Sequence, residues 1–204
     1  MAEMTWVRPT TLQGRVVRLE PLSDQHVAGL AAIGLMDDIW RHMPYGVMHD
    51  QDDIQNWVHE ILRRAANGTD IPFAVIHLAS GRIAGATRYM EIRPEHRALE
   101  IGGTWYGAEF QRTAVNTECK YLLLRHAFEQ LGCVRVQLKT DSRNDRSQRA
   151  IERIGAVKEG TLRNHMILPD GTFRHSVYYS ILDSEWPRVR LLLEAKLANT
   201  PERT

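Results

Sequence analysis

A polar turn at residues 111–116 could bind an anion. It reads Gln-Arg-Thr-Ala-Val-Asn and stands between a predicted strand and a long predicted helix. The first N–H groups of a helix have no intrahelical partner and lie at the positive end of its dipole, so this position attracts phosphate. Arg112 adds a positive charge, whereas Glu118, in the first turn of the helix, would repel a phosphate that came too close. The same residues also fit an ordinary helix start with Thr113 or Asn116 as the N-cap.

Glu100 is a carboxylate inside the predicted strand 98–106. Strand alternation places it on the face opposite to Ile101. A carboxylate on a central strand is costly unless it has a partner. Glu100 could therefore act as a general base, directly or through water, or it could form a structural ion pair with Arg88 or Arg135.

Hydrophobic periodicity predicts the elements that hold these residues. Strands are predicted at 15–20, 73–78, 83–92, 98–106, 134–138, 158–168 and 172–182, and helices at 23–33, 50–66, 115–131, 144–154 and 186–197. Residues 40–48 are predicted to form a loop. Strands 98–106 and 134–138 are joined through a helix, so we expect them to be parallel neighbours. The order predicts an α/β (α+β) fold in a single domain over residues 1–204. Its sheet is mixed and mostly antiparallel, with about seven strands and helices on both faces.

The composition limits the classes of partner. Hydrophobic residues make up 43% and charged residues 25%, and 26 basic and 25 acidic residues leave a net charge of +1. No global field therefore favours nucleic acid or an anionic membrane. No apolar run approaches the ~20 residues that span a bilayer, and residues 1–10 lack the apolar stretch of a signal peptide. We expect a cytoplasmic protein without a membrane or nucleic-acid partner.

The two cysteines, Cys119 and Cys133, match no metal-binding spacing. We expect them to be reduced, buried thiols, and we expect no metal site. Four arginines around the predicted helix at 144–154 form a local basic cluster, and their spacing places three of them on one helical face. These four are Arg143, Arg146, Arg149 and Arg153.

Several segments carry a resemblance to a known family. They are Leu-Glu-Ile-Gly at 99–102 with Trp105, the turn at 111–116, ECKYLLLRHAFEQL at 118–131, KTDSRNDRSQRA at 139–150, Ile-Gly-Ala at 154–156, EGTLR at 159–163 and LPDG at 168–171. In these segments the chain resembles the GCN5-related N-acetyltransferases (GNAT), and more narrowly the ribosomal-protein N-terminal acetyltransferases. The likeness runs from Leu19 to Trp186, with a cofactor core at about 98–156.

The resemblance implies that acetyl-CoA is the co-substrate. It implies cofactor-binding roles for Ile101, Gly102, Gly103, Thr104, Trp105, Gln111, Arg112, Thr113, Ala114, Val115, Asn116, Asn144, Ser147 and Arg149. The chain departs from the family pattern at Ala114 and Asn116, where the family loop usually has glycine and then glycine or alanine. Asn116 either hydrogen-bonds a phosphate or weakens cofactor binding.

The resemblance also implies catalytic and acceptor residues. Asn144 and Ser147 match the family spacing, in which the asparagine binds the pantetheine arm and the serine lies near the thiol as a proton donor. Asn144 could also serve as a helix N-cap, and Ser147 could bond only to backbone or water. Glu100 is the first candidate for the general base. Trp40, His175 and Tyr178 are candidates for contact with the acceptor.

Three functions remain open at this point. The first is acetylation of a protein N-terminal α-amine, and the second is acetylation of a small amine such as a polyamine, an amino acid or an antibiotic-like compound. The third is an acyl-CoA-binding protein without catalysis. The resemblance to the family also makes a homodimer possible.

Overall fold

Within residues 6–199, eight strands form one mixed sheet in the order β1-β2-β3-β4-β5-β6-β8-β7. We describe residues 6–199 of a computed structural model. Residues 1–5 and 200–204 lie outside the described residues. The predicted domain over residues 1–204 and the expectation about the N-terminal segment refer in part to them. The strands are β1 (Leu12–Gln13), β2 (Val17–Pro21), β3 (Ile71–His77), β4 (Ile83–Arg93), β5 (Ala98–Tyr106), β6 (Arg135–Asp141), β7 (Val157–Ile167) and β8 (Phe173–Leu182).

Helices cover both faces of the sheet. They are α1 (Val27–Gly34), α2 (Asp37–Trp40), α3 (Gln51–Ala66), α4 (Ala114–Arg125), α5 (Asp145–Arg153) and α6 (Trp186–Ala198). Along β3, Phe73 and Val75 join the core beneath α4 and α6, while Ala74 and Ile76 join the core beneath α1 and α3. This alternation follows from the two-residue period of a strand and confirms the predicted α/β class.

The sheet is antiparallel except between β5 and β6. The predicted parallel pair is confirmed, but it is short: it begins at Ala98↔Arg135 and ends at Glu100↔Gln137. Beyond that point β6 continues to pair with β8, and β5 continues to pair with β4. From Ile101 onwards, the edge of β5 that faces β6 therefore has no strand partner among the described residues. The backbone N–H and C=O groups on that edge are available to a ligand.

The predicted sheet of about seven strands is confirmed: residues 6–199 contain eight, and the additional one is the two-residue strand β1, which is too short to carry an alternation. One local prediction needs correction. Trp40 ends the short helix α2 and does not begin a loop. Ile39 and Trp40 are buried against α3, and this burial fixes the helical turn.

Within residues 6–199, no helix is both long enough and apolar enough to cross a membrane. In the same residues, no group of three or more histidine, cysteine, aspartate or glutamate side chains is placed to hold a metal ion. Cys119 and Cys133 are buried free thiols, as predicted.

Candidate active site

A cleft of about 720 Å³ lies where β5 and β6 separate. Two glycines of β5 form part of its wall and leave space for neighbouring side chains that also line it. A Cβ atom at Gly102 would lie 2.6 Å from the Met90 sulfur, and one at Gly103 would lie 3.0 Å from the Arg88 guanidinium carbon. Gly103 also has φ +56°, a conformation that favours glycine. Larger residues at these two positions would displace the cleft wall.

The start of α4 forms one wall of the cleft. Thr113 is the N-cap: its Oγ1 accepts from the Val115 N–H at 3.2 Å and donates to the Phe110 carbonyl at 2.7 Å. Arg112, just before it, has φ +60°, which is costly for a residue other than glycine. Of the two caps that the sequence allows, the structure selects Thr113. Asn116 is thereby free to line the cleft.

The carboxylate of Glu118 does not repel a phosphate here, because it is turned to the opposite side of α4. Its two oxygens accept from the backbone N–H groups of Arg15, Val16 and Val17 at 2.9, 2.6 and 2.7 Å. The side chain is buried and fills the space beside Gly14. Glu118 thus joins α4 to the start of β2.

Helix α5 forms the opposite wall. Asn144 is its N-cap and accepts from the Ser147 N–H at 3.0 Å. Arg146 donates to the Gln111 side-chain oxygen at 2.9 Å, which joins α5 to the turn before α4. Arg153 donates to Thr117 at 3.1 Å. Together these residues make a basic end of the cleft, here called the α5 end, lined by Gln111, Arg112, Asn116, Arg146, Ser147 and Arg149.

Most of the residues expected to bind the cofactor line this one cleft. They are Ile101, Gly102, Gly103, Thr104, Trp105, Gln111, Arg112, Thr113, Asn116, Asn144, Ser147 and Arg149. Ala114 and Val115 do not line it, and the Val115 side chain is part of the core. The structure thus brings together residues from β5, the 111–116 turn and α5.

Glu100 also lines the cleft, although only 1% of it is exposed. Gln137 donates to its Oε2 at 2.8 Å, and the Lys139 ammonium lies 3.3 Å from the same atom. Burial raises the pKa of Glu100, and these two neighbours oppose the rise. A carboxylate with a raised pKa facing a cleft is suited to accept a proton.

The ion-pair partners suggested for Glu100 were wrong. Arg88 pairs with Asp70 at 2.8 Å, and Arg135 pairs with Glu159 at 2.5 Å. Lys139 takes their place: it lies on the same face of β6 as Gln137, and both arginines are already engaged by other carboxylates.

None of the three candidates for acceptor contact lines the cleft. Trp40 is 1% exposed, and its indole donates to the Gly34 carbonyl within the core beneath α3. His175 is half-buried in β8, where its Nδ1 accepts from the Asn164 N–H at 2.9 Å. The Tyr178 hydroxyl contacts His165 at 3.1 Å. Trp40 and His175 are therefore not brought together with Glu100. Tyr178 lies beside Lys139, the partner of Glu100, with the ammonium 5.9 Å from its ring centroid, but it does not line the cleft.

Other residues, which the sequence did not single out for this role, line the end of the cleft beneath the 41–48 loop. This loop end includes His42, Tyr45, Arg64, Arg88, Lys139 and Arg174. Burial lowers the pKa of His42, which makes it a second possible base. Between the two ends, Lys120 donates to Thr104 at 2.7 Å, and burial lowers its pKa to about 8. No motif marks these residues, because they come from separate elements.

Comparison with known proteins identifies the family. The family model for an acetyltransferase (GNAT) domain matches residues 17–157. This chain is a member of the GNAT family. It is therefore an acyltransferase, and the resemblance found in the sequence is confirmed.

Several individual proteins are similar to this GNAT chain. A GCN5-related N-acetyltransferase from Brucella melitensis has 31% identity and a TM-score of 0.89, covering 95% of this chain and 87% of that one. The Bacillus subtilis (strain 168) protein "Putative ribosomal N-acetyltransferase YdaF" is 32% identical over 109 residues, which are 53% of this chain and 58% of that protein. Mycobacterium smegmatis RimJ, in complex with CoA-disulfide, has 21% identity, covers 92% of this chain and 95% of that one, and shares the fold with a TM-score of 0.76.

Asn116 is the residue of this GNAT loop that departs from the family pattern and faces the cleft. We expect Asn116→Gly to weaken CoA binding about fivefold, because it removes an amide that can donate to a phosphate. Isothermal titration calorimetry measures the dissociation constant. Ala114→Gly is the matched control, since it adds glycine to the same helix turn without changing the cleft lining. Tighter binding in Asn116→Gly would mean that the asparagine only obstructs the cofactor.

Proposed function

We propose that this GNAT protein transfers an acetyl group from acetyl-CoA to the α-amine of a protein N-terminus. One observation carries the proposal: a single cleft along the unpaired edge of β5 has arginines at its α5 end and Glu100 near its loop end. A cofactor with a phosphate-bearing head and a long thioester arm fits such a cleft. When bound, acetyl-CoA supplies the acetyl group as a thioester.

The residues of the α5 end would hold the phosphates. Arg112, Arg146 and Arg149 supply positive charge, and the start of α4 supplies N–H groups. The open edge of β5 at Ile101 and beyond would bind the arm through backbone hydrogen bonds. The CoA-bound structure of RimJ supports this use of the fold, since that protein holds CoA-disulfide.

Glu100 and Ser147 would move the protons. Glu100 accepts the proton that the amine must lose before it attacks, and its buried, hydrogen-bonded position keeps it directed at the cleft. The Ser147 hydroxyl, one turn into α5, donates a proton to the departing sulfur. Both side chains line the same cleft, which favours an enzyme over a protein that only binds acyl-CoA.

The charge of the loop end separates the possible acceptors. Four basic side chains line it, namely Arg64, Arg88, Lys139 and Arg174. The first three pair with the carboxylates of Glu60, Asp70 and Glu100, and Arg174 pairs with none among the described residues, which leaves a positive charge in excess. A polyamine or an aminoglycoside carries several positive charges and would be repelled. A protein N-terminus carries one amine, and the name of the Bacillus relative supports this acceptor class. An amino acid remains as the small-molecule alternative.

Release of CoA thiol in the presence of acetyl-CoA and peptides with free N-termini tests the proposal. We expect turnover on peptides, and Ser147→Ala should lower kcat about 100-fold because the sulfur loses its proton donor. Ser184→Ala, at an exposed serine before α6, should not change kcat. CoA binding without turnover on any peptide or amino acid would instead support a binding protein. Cytoplasmic location and a homodimer also belong to this proposal, and light scattering tests the latter.

A further inference from the structure

Arg174 is a buried guanidinium that pairs with no carboxylate in the described part of the chain. It lies in β8, lines the loop end of the cleft and is 6% exposed. Its Nε donates to the Ser176 hydroxyl and its Nη1 to the His42 carbonyl, both at 3.2 Å. Among residues 6–199, no carboxylate lies within ion-pair distance of it. Burying a charge without a counter-ion is costly.

The nearest carboxylates are already engaged. Asp141 and Glu100 are the acidic groups that act most strongly on Arg174. Asp141 pairs with Arg143 at 2.7 Å, and Glu100 pairs with Lys139. The other basic residues of the loop end also have partners, since Arg64 pairs with Glu60 and Arg88 with Asp70. Within the described cleft lining, Arg174 is thus the loop-end cation that lacks an anion.

The guanidinium of Arg88 contacts the same loop and carries an N–H donor that makes no hydrogen bond to a described residue. Arg88 is 3% exposed, and its Nη2 donates to the Tyr45 hydroxyl. Its Nη1 is buried and has no hydrogen-bond partner among the residues that the structure describes. Arg88 is held at Tyr45 and Arg174 at His42, so both contact the same short loop above the cleft. Unpaired buried donors are rare in folded proteins, so the free Nη1 of Arg88, together with the uncompensated charge of Arg174, points to an anionic ligand at the loop end.

We infer that the acceptor carries a carboxylate close to its reactive amine, and that this carboxylate binds Arg174, with the free Nη1 of Arg88 as a second donor. The inference rests on the proposed function and refines it: the preferred substrate is a polypeptide with aspartate or glutamate as its second residue. The amine is then held toward Glu100, and the acidic side chain toward the 41–48 loop. The α-carboxylate of a free amino acid has the same chemistry and is the other source that the experiment distinguishes.

Paired peptides test this inference without any mutation. The probes are peptides that begin Ser-Asp or Ser-Glu, their neutral counterparts that begin Ser-Asn or Ser-Gln, and free aspartate and glutamate. At fixed acetyl-CoA, we expect kcat/KM for each acidic peptide to exceed that for its amide counterpart at least about tenfold, mainly through KM. Equal values for acidic and neutral peptides would overturn the inference.

Arg174→Gln then assigns the preference to this residue. Glutamine can still donate to the His42 carbonyl but carries no charge, so the acidic-to-neutral ratio of kcat/KM should fall to about one. Arg174→Lys should keep part of the ratio. Arg163→Gln, at an exposed arginine in β7, is the matched control and should keep all of it. If an Arg174 variant lowers kcat/KM equally for the acidic and the neutral peptide, so that their ratio is unchanged, Arg174 only supports the loop.

Binding distinguishes failure of this inference from failure of the proposed function. Calorimetry with the CoA-loaded protein compares the affinities of the Ser-Asp and Ser-Asn peptides whether or not they react. If no peptide is acetylated but glutamate is, in an Arg174-dependent way, the protein N-terminus is the wrong acceptor while carboxylate recognition stands. If peptides react and the acidic ones bind no tighter, the acceptor class stands and carboxylate recognition fails.

Discussion

Glu100→Gln is expected to lower kcat about 100- to 1000-fold, because an amide cannot accept the proton of the attacking amine. The carboxylate faces the cleft beside Gly102, where a Cβ atom would lie 2.9 Å from its Oε1. Glutamine has nearly the same shape, so the wall of the cleft should be preserved. CoA affinity should therefore change little, and the loss should appear in kcat under saturating acetyl-CoA.

The pH profile gives this prediction a second readout. Burial raises the pKa of Glu100 above 4.5, the ordinary glutamate value. Glu100 must be ionised to accept a proton, so kcat falls as the pH drops through this raised pKa. The acid limb of the wild-type profile should therefore lie above 4.5, and Glu100→Gln should lack that limb.

A matched control separates this effect from a general loss of charge on the sheet. Glu159 pairs with Arg135 and accepts from Ser180, but it does not line the cleft. Glu159→Gln should leave kcat and its acid limb in place. If Glu100→Gln keeps the limb and loses less than about fivefold in kcat, another group is the base. His42 is then the first residue to replace.

Glu118→Ala is expected to lower the free energy of unfolding by about 3–5 kcal/mol, because it leaves three backbone N–H groups without their acceptor. These groups belong to Arg15, Val16 and Val17, and the site is buried or partly buried. For a chain of this size, the loss corresponds to a fall in Tm on the order of 10 °C. Urea unfolding followed by circular dichroism measures the change.

Two further substitutions bracket this result. Glu118→Gln keeps one acceptor oxygen, so its free energy of unfolding should lie between that of Glu118→Ala and that of the wild type. Glu109→Ala removes an exposed carboxylate that pairs with Arg82, and should cost less than about 1 kcal/mol. A loss below about 1 kcal/mol in Glu118→Ala would mean that water replaces the carboxylate at the start of β2.

Periodic elements could be predicted from the sequence because their signal is local. Helix α3 buries Ile54, Trp57, Val58 and Ile61 at helical spacing, and Asp50 caps it as an N-cap by accepting from the Asp53 N–H at 2.9 Å. The short motifs around residues 98–156, together with the order of the elements, carried the resemblance to the family. The same order placed β5, the 111–116 turn and α5 around one cleft.

The loop end of the cleft could not be predicted in this way, because it depends on which face each strand turns toward the helices. In β8, Arg174 and His175 are neighbours in sequence but point to opposite faces. The pairing of β8 with β6, Asp141 opposite Ser176, decides which of them enters the cleft. The side chain that lines the cleft is therefore Arg174, one residue before the histidine that the sequence analysis expected there.

By itself, the sequence determined the α/β class, the family resemblance and the residues of the α5 end, since each rests on local periodicity or on a short motif. Only the tertiary structure decided the environment of charged side chains whose partners are distant in the chain. Glu118 meets β2 about 100 residues earlier, and Arg174 meets the 41–48 loop 132 residues earlier. The reason is physical: a charge is stabilised or left unpaired by what lies within a few ångströms, and packing alone brings those groups together.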